Sequence, residues 1–434
     1  MSVRSRLGQI GIVRSLYKIW KKRDRIITLI RLLRLYGVMT TIRIYRSALD
    51  CWGNRSPVND RIRTLALQMG EKQFAGSSDA TGWLYHDYAL PEHGLKAHRK
   101  NTDRRLRLIK KHVTINHASV LDIGCSSGGM TTGLALLGAS RATGVDYDPA
   151  AIALGNAMKD KYGLCNVHFD CADFMNYKIP QADIILWLSN WMWIVKAHGL
   201  DTGKKMMFEV PTRANASVMV FESAASDKSA PIVGTTQKHI EEFVRAWSPF
   251  SQVLNVGPFD DHWSQKGEQP RNVLICTKPQ TRWDGYQSRV ERIDAWTVRK
   301  TYKEKFGWAK NWELRCLEKL KDNPHFPRVR NHGDNWIEFG WLGHTPRKSD
   351  NLAQLQIIND DLRSARLVHR DIRPGNLLWQ EGNLALIDFG WAWIDGEKPP
   401  MDAPDYLGDG FYTPGRWDDG EAAAKVVAKL RIEN

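Results

Sequence analysis

The sequence predicts an open parallel α/β sheet with crossover helices, then a smaller α+β unit, both preceded by a basic helical segment. Three observations carry this. The chain has 434 residues, and at about 150 residues per domain two or three domains are expected. Between about 85 and 280, short β-type runs alternate with helical stretches; beyond the Pro/Gly-bearing joint Lys278–Gly285 the pattern changes to a hairpin, a helix and further strands. Finally, residues 1–50 hold 12 Lys/Arg and two acids, a net +10 of the chain's total of +14. The two larger units are therefore near neutral, which excludes a broad phosphate footprint on them, and no nucleic-acid partner is expected.

Residues 1–52 read as two or three basic amphipathic helices. Ile12, Val13, Leu16, Ile19 and Trp20 recur at helical spacing, as do Ile26, Ile27, Ile30, Leu33 and Leu35, with Gly37 as a stop. Such a segment suits an anionic membrane surface, or else it packs its apolar faces on the body of the protein. Residues 51–80 are loop-rich. The β-type runs that follow are Ser119–Ile123, Ala142–Val145, Val167–Phe169, Ile184–Leu188, Ser217–Phe221 and Asn272–Thr277. Residues 286–302 read as a hairpin, 308–321 as a helix and 336–342 as strand. The six cysteines are scattered, without CxxC or zinc spacing, which fits reduced thiols in the cytoplasm. No secretory signal and no run of membrane-spanning length is visible.

The first chemical constellation is Val120-Leu-Asp-Ile-Gly-Cys-Ser-Ser-Gly-Gly129. A buried strand enters a glycine-bearing loop that lets backbone pass close to a ligand, and a helix follows. The next strand ends at Asp146, twenty-two residues after Gly124, where a carboxylate can accept ribose hydroxyls. A third strand ends at Asp173-Phe174, where Asp173 can meet an adenine amino group. The spacing is not the GxGxxG of nicotinamide sites. This order resembles the class I methyltransferases, with their Rossmann-like sheet. The resemblance implies that Asp122, Gly124, Ser126, Gly128, Asp146, Asp173 and Phe174 bind S-adenosylmethionine. Ser126 departs from it, standing where the family usually has Gly. Beyond the fourth strand, Trp191 and Trp193 suit either core or a stacking platform for an acceptor. Upstream, His98, Arg99, Arg104 and Arg105 suit either a solvated helix face or an anion clamp for a phosphorylated acceptor.

The second constellation is Val368-His-Arg-Asp-Ile-Arg-Pro-Gly-Asn-Leu-Leu378, followed by Leu386-Ile-Asp-Phe-Gly390. It resembles the protein-kinase catalytic loop and its metal-binding DFG. The resemblance implies that Asp371 orients and deprotonates the attacking hydroxyl and that Arg373 neutralises the transferred phosphoryl. Asn376 and Asp388 would hold Mg2+, and Lys300 with Glu313 would bind the ATP phosphates. Two features depart from the family. The Gly-rich loop is reduced to Gly285, and only 44 residues follow Gly390, without an APE motif. The parts that hold peptide substrates are thus absent, which favours a small molecule or a glycan as acceptor.

Taken together, the fold class is a Rossmann-like class I methyltransferase domain (80–280) followed by a minimal α+β kinase-like domain (285–434). That order resembles the bacterial O-antigen chain-terminating methyltransferase–kinases of the WbdD type. The resemblance implies a lipid-linked glycan acceptor whose non-reducing end is phosphorylated and methylated, ending chain growth. It also implies a polysaccharide glycosyltransferase as a possible partner, and a peripheral position on the inner face of the bacterial plasma membrane. Two alternatives are an enzyme acting on a small metabolite and a scaffold whose inactive kinase fold recruits a glycosyltransferase. The family's long coiled coil is not expected here, because the sequence ends at Asn434.

Overall fold

The computed structural model describes residues 27, 29–42, 44, 60–62, 64–66, 68, 83–86, 96–99, 102–227, 230–258, 270–346, 352–380, 382–408, 410–413 and 416–432. Its main sheet has seven strands: β1 (Ser119–Ile123), β2 (Arg141–Asp146), β3 (Val167–Cys171), β4 (Ile184–Leu188), β5 (Val218–Glu222), β6 (Phe250–Pro258) and β7 (Asn272–Pro279). Their order is β6-β7-β5-β4-β1-β2-β3. β1 pairs in parallel with both β2 and β4, so the strand order reverses at β1. That reversal opens a crevice at the carboxyl ends of the strands, where ligands of such sheets bind. β1 and β4 are almost continuously buried, which is why they read as unbroken apolar runs. β6 was not foreseen. Its sequence, Phe-Ser-Gln-Val-Leu-Asn-Val-Gly-Pro, is half exposed and gives no steady alternation.

The chain forms two compact units. The first holds residues 1–190, 214–223 and 256–275, and the second holds 191–213, 224–255 and 276–434. The division is interleaved, unlike the linear boundary near 280 that the motifs suggest. In the first unit, α1 (Thr102–His112), α2 (Gly129–Leu136) and α3 (Pro149–Tyr162) surround the strands. The described part of the basic segment, residues 29–42, is helical. It places Leu32, Leu35 and Tyr36 in the same core as Leu106, Ile109 and Leu134. Arg31 pairs with Asp103 at 2.8 Å, and Lys110 donates to the carbonyl of Leu35 at 2.9 Å. This stretch therefore follows the packed alternative. The remaining basic residues of 1–52, Arg34 aside, lie outside the described residues.

The second unit contains α4 (Trp191–His198), most of α5 (Leu200–Ala214) and α6 (Gln237–Trp247). Its own five-stranded sheet consists of β8 (Arg282–Asp284), β9 (Ser288–Arg292), β10 (Thr297–Tyr302), β11 (Val329–His332) and β12 (Trp336–Gly340). The order is β8-β9-β10-β12-β11, and every neighbouring pair is antiparallel. α7 (Gly307–Lys319) follows β10. The C-terminal part has α8 (Gln354–Ser364), the hairpin β13 (Leu377–Gln380) and β14 (Asn383–Leu386), and α9 (Asp419–Ile432). One core of this unit joins Phe306, Cys316, Ile337, Ile358, Leu386 and Phe389. The fold class expected from the motifs is the one observed. Among the described residues no helix is long and apolar enough to cross a membrane.

Candidate active sites

The loop after β1 has the geometry a nucleoside cofactor needs. Gly124 has φ +67°, and a Cβ there would lie 1.7 Å from the Asn190 amide nitrogen. Gly128 has φ +78° and begins α2, and its Cβ would lie 2.2 Å from the Phe169 ring. A side chain at either position would have to displace Asn190 or Phe169 as well as adopt a left-handed backbone, which favours glycine. Ser126 stands in the left-handed region too, at φ +49°. That is the physical reason glycine is usual there, and serine tolerates it at a conformational cost.

Three acids sit at three successive strand ends, and the structure gives each a different duty. Asp146 accepts the Ser126 N–H at 2.8 Å through one oxygen and the Asp148 N–H at 2.9 Å through the other. It thereby shapes the loop, while each oxygen keeps a further lone pair for a ribose hydroxyl. Burial raises its pKa above the ordinary value. Asp122 is buried and accepts the Thr131 hydroxyl at 2.6 Å. Burial pushes its carboxyl up to about 7, and its bond to Thr131 ties β1 to α2. Asp173 caps the short helical turn Phe174–Asn176 through the Met175 N–H at 3.0 Å. Phe174 packs edge-on to Trp187 at 6.1 Å.

In the second unit, the residues singled out from the second motif set converge. Lys300 on β10 lies 2.5 Å from Glu313 of α7 and 2.8 Å from Asp388. Lys300 and Glu313 are buried. Burial works against the lysine charge, but Asp388 and Glu313 together hold its pKa above the usual value. Burial likewise opposes the Asp388 charge, yet Lys300 holds that carboxyl below its ordinary range. The Tyr302 hydroxyl donates to Glu313 at 2.5 Å and the Phe389 N–H at 3.4 Å, so with Lys300 this inner carboxylate has three partners.

The loop after β12 and α8 carries the other half of the site. Asp371 is buried, and it accepts the Asn376 amide at 2.7 Å and the Arg373 guanidinium at 3.1 Å. Burial raises the Asp371 pKa to about 6, with Arg373 opposing. A carboxylate with that pKa is ionised near neutral pH yet basic enough to take a proton from a bound hydroxyl. The Asn376 amide nitrogen is committed to Asp371, which leaves its side-chain oxygen, beside the Asp388 carboxylate, as a hard donor suited to Mg2+. Lys300, Glu313, Asn376 and Asp388 all line one cavity of about 480 Å³. Its apolar wall includes Val290, Val298, Phe339, Leu378 and Ile387, an environment that fits a flat heteroaromatic ring above and below.

Residues that the motif reading missed hold this loop in place. Asp419, the first residue of α9, accepts the His369 N–H at 2.6 Å, the Arg370 N–H at 3.1 Å and the Tyr412 hydroxyl at 2.6 Å. The Tyr412 oxygen in turn accepts the Ile372 N–H at 3.0 Å. Arg370 has φ +69°, a strained backbone that these bonds maintain. The available signal was the acidic pair Asp418-Asp419 ahead of an Ala/Val-rich helical run.

The acceptor residues proposed for methyl transfer need correction. Arg105 is 1% exposed and pairs with Glu222 at 3.2 Å. Glu222, itself fully buried, also accepts the Ser189 hydroxyl. Arg105 is therefore an internal ion pair, because a buried guanidinium needs an equally buried partner. Trp191 is fully buried, stacks near Phe243 at 4.7 Å and donates its indole N–H to Gly203 at 3.2 Å. It is core and cannot stack on a substrate; Trp193 is the exposed ring of that helix, at 58%. Arg104 is on the exposed face of α1. The side chains of His98 and Arg99 lie outside the described residues.

Comparison with known proteins gives the following. Residues 120–213 match a family model described as "Methyltransferase domain". Over 77 residues the chain is 40% identical to EEF1A lysine methyltransferase 2 of Homo sapiens and 39% identical to that of Mus musculus. That stretch is 18% of this chain and spans about a third of the length of those relatives. A solved structure of the bifunctional kinase–methyltransferase WbdD is similar at 17% identity, covering 85% of this chain and 96% of that one, with a TM-score of 0.40. A SAM-dependent methyltransferase from Aquifex aeolicus is similar at 15% identity, covering 39% of this chain and 87% of that one, with a TM-score of 0.30. The methyltransferase-domain match thus falls on the stretch that holds the Gly124–Gly128 loop, Asp146 and Asp173.

Proposed function

We propose that this chain is a bifunctional transferase, whose second unit phosphorylates a sugar hydroxyl and whose first unit methylates the product. The observation that carries the reading is the joint placement of Lys300, Glu313, Asp388 and Asn376 around one cavity, with Asn376 and Arg373 both bonded to Asp371. An inactive scaffold has no need to keep a buried lysine between two carboxylates, since such groups are costly to bury. ATP, when bound, supplies the phosphoryl group, and S-adenosylmethionine supplies the methyl group. Asp371 orients the attacking hydroxyl and takes its proton, while Arg373 faces the charge that develops on the transferred group. Asn376 and Asp388 would hold Mg2+. In the first unit the carboxylates of Asp146 and Asp173 and the backbone of the loop from Gly124 to Gly128 would receive the cofactor. A phosphate oxygen is already anionic, so its methylation needs positioning more than a base. Placing both steps on one chain raises the effective concentration of the intermediate.

The acceptor we propose is the non-reducing end of a lipid-linked bacterial surface polysaccharide, with modification ending chain growth. The basic N-terminal segment would keep the enzyme on the anionic inner face of the plasma membrane, beside the polysaccharide glycosyltransferase. The second reading, a small-metabolite enzyme, shares the same chemistry. Mass spectrometry of candidate glycans, incubated with ATP alone and then with ATP and S-adenosylmethionine, separates them. A gain of one phosphate and then one methyl group on a glycan supports the proposal. Methylation at full rate without ATP refutes the order of steps.

A further inference from the structure

The catalytic loop of the second unit is bordered by two exposed tyrosines that the phosphoryl-transfer chemistry itself does not use. Tyr286 lies in the turn between β8 and β9, next to Gly285, which lines the nucleotide-sized cavity. The turn is held by the Gly285 N–H donating to Ser288 at 2.8 Å and by Lys303 donating to the Gly285 carbonyl at 2.7 Å. The Tyr286 ring rests on Phe306 at 5.0 Å, which fixes its plane. Tyr406 comes from the segment after the metal-binding motif. That segment lies against the catalytic loop: a Cβ on Gly408 would be 3.3 Å from the Arg370 carbonyl, and Tyr412 bonds Ile372. The two tyrosine rings stand 5.9 Å apart at 89°, forming an angled corner. Tyr286 is 48% exposed and Tyr406 55%.

Large aromatic rings left half in water at a fixed angle, beside a catalytic carboxylate, are a binding surface in waiting. The group that must be presented to Asp371 is a hydroxyl. A pyranose offers several hydroxyls together with an apolar face of C–H groups, which matches one aromatic face and the edge of a second. Arg373, half exposed beside Asp371, adds donors for the ring hydroxyls.

We propose that Tyr286 and Tyr406 form the acceptor subsite of the second unit and hold a pyranose ring, with one of its hydroxyls directed at Asp371. This deepens the phosphoryl-transfer reading and rests on it.

The test is saturation-transfer NMR with the methyl pyranosides of mannose, glucose and galactose, and sorbitol as an acyclic polyol of similar hydroxyl content. Saturation should pass from the protein to the ring C–H protons of at least one pyranoside and not to sorbitol. It should be lost in Tyr406→Ala and in the double variant Tyr286→Ala/Tyr406→Ala, and kept in Tyr406→Phe, which retains the ring. With the pyranoside that responds, the acceptor KM of Tyr406→Ala should rise by about tenfold, the loss of one aromatic contact. Calorimetric titration of ATP into each variant reports whether the unit is folded. No saturation of any pyranoside by the wild type, equal saturation of sorbitol, or undiminished saturation in the double variant overturns the subsite. Failure of the wild type to bind ATP is a separate result, and it overturns the phosphoryl-transfer reading instead.

Discussion

Replacing Asp419 by Asn tests whether α9 is part of the catalytic machinery. The aspartate accepts two backbone N–H groups and the Tyr412 hydroxyl at 2.6–3.1 Å. An asparagine has one acceptor oxygen, and its NH2 group then faces one of those N–H groups. One charge-assisted bond is lost outright, roughly 2 kcal/mol, and the two that remain weaken by about 1 kcal/mol together as the charge disappears. Arg370, held at φ +69°, is then released toward an unstrained backbone. We expect the second unit to lose about 3 kcal/mol of stability. Displacement of Asp371 by about 1 Å should lower the turnover number by roughly 100-fold, with little change in ATP affinity. Urea unfolding followed by tryptophan fluorescence gives the first quantity, and phosphate transfer from radiolabelled ATP gives the second. Tyr412→Phe, which removes only the relay to Ile372, should show a smaller loss of both. An unfolding midpoint and turnover equal to wild type in Asp419→Asn would refute the reasoning.

Four further outcomes follow from the same geometry. Burial raises Asp371 to about 6, so phosphoryl transfer should rise with pH through about 6, and Arg373→Ala should move that limb upward, as a pH–rate profile will report. Burial pushes Asp122 to about 7; its stabilising contribution is therefore full below about pH 4 and lost as pH rises through about 7, and Asp122→Asn should flatten this part of the urea-midpoint profile. Asp146→Ala should weaken S-adenosylmethionine binding by about 2 kcal/mol in calorimetry, a wild-type dissociation constant being the contrary result. Trp191→Ala should cost about 3–5 kcal/mol of stability and leave the acceptor KM unchanged; the reverse pattern would restore Trp191 as a substrate contact.

The sequence by itself determined the two fold classes and which local segments bring the candidate site residues together. Gly124, Ser126, Gly128 and Asp146 lie within one strand–loop–helix–strand unit, and Asp371, Arg373 and Asn376 lie within six residues of one loop. In such segments spacing nearly dictates geometry, because backbone conformation is decided locally and the side chains have few other places to go. Lys300 and Glu313 also meet as their spacing suggests, since β10 and the helix after it are neighbours in the chain.

Tertiary structure decided what depends on distant partners. Arg105 looked like a clamp on a basic face, but Glu222, 117 residues away, turned it into an internal ion pair. Trp191 looked equally fit for core or for substrate until Phe243 and the Gly203 carbonyl closed over it. The basic segment suited either a membrane surface or the body of the protein, and in its described part Leu32, Leu35 and Tyr36 belong to the first core. Asp419 gave little sign of holding a loop some 50 residues upstream. Periodicity records which residue types are apolar and at what spacing. It does not record which surface they will meet, because desolvation and pairing are fixed only when the facing element arrives.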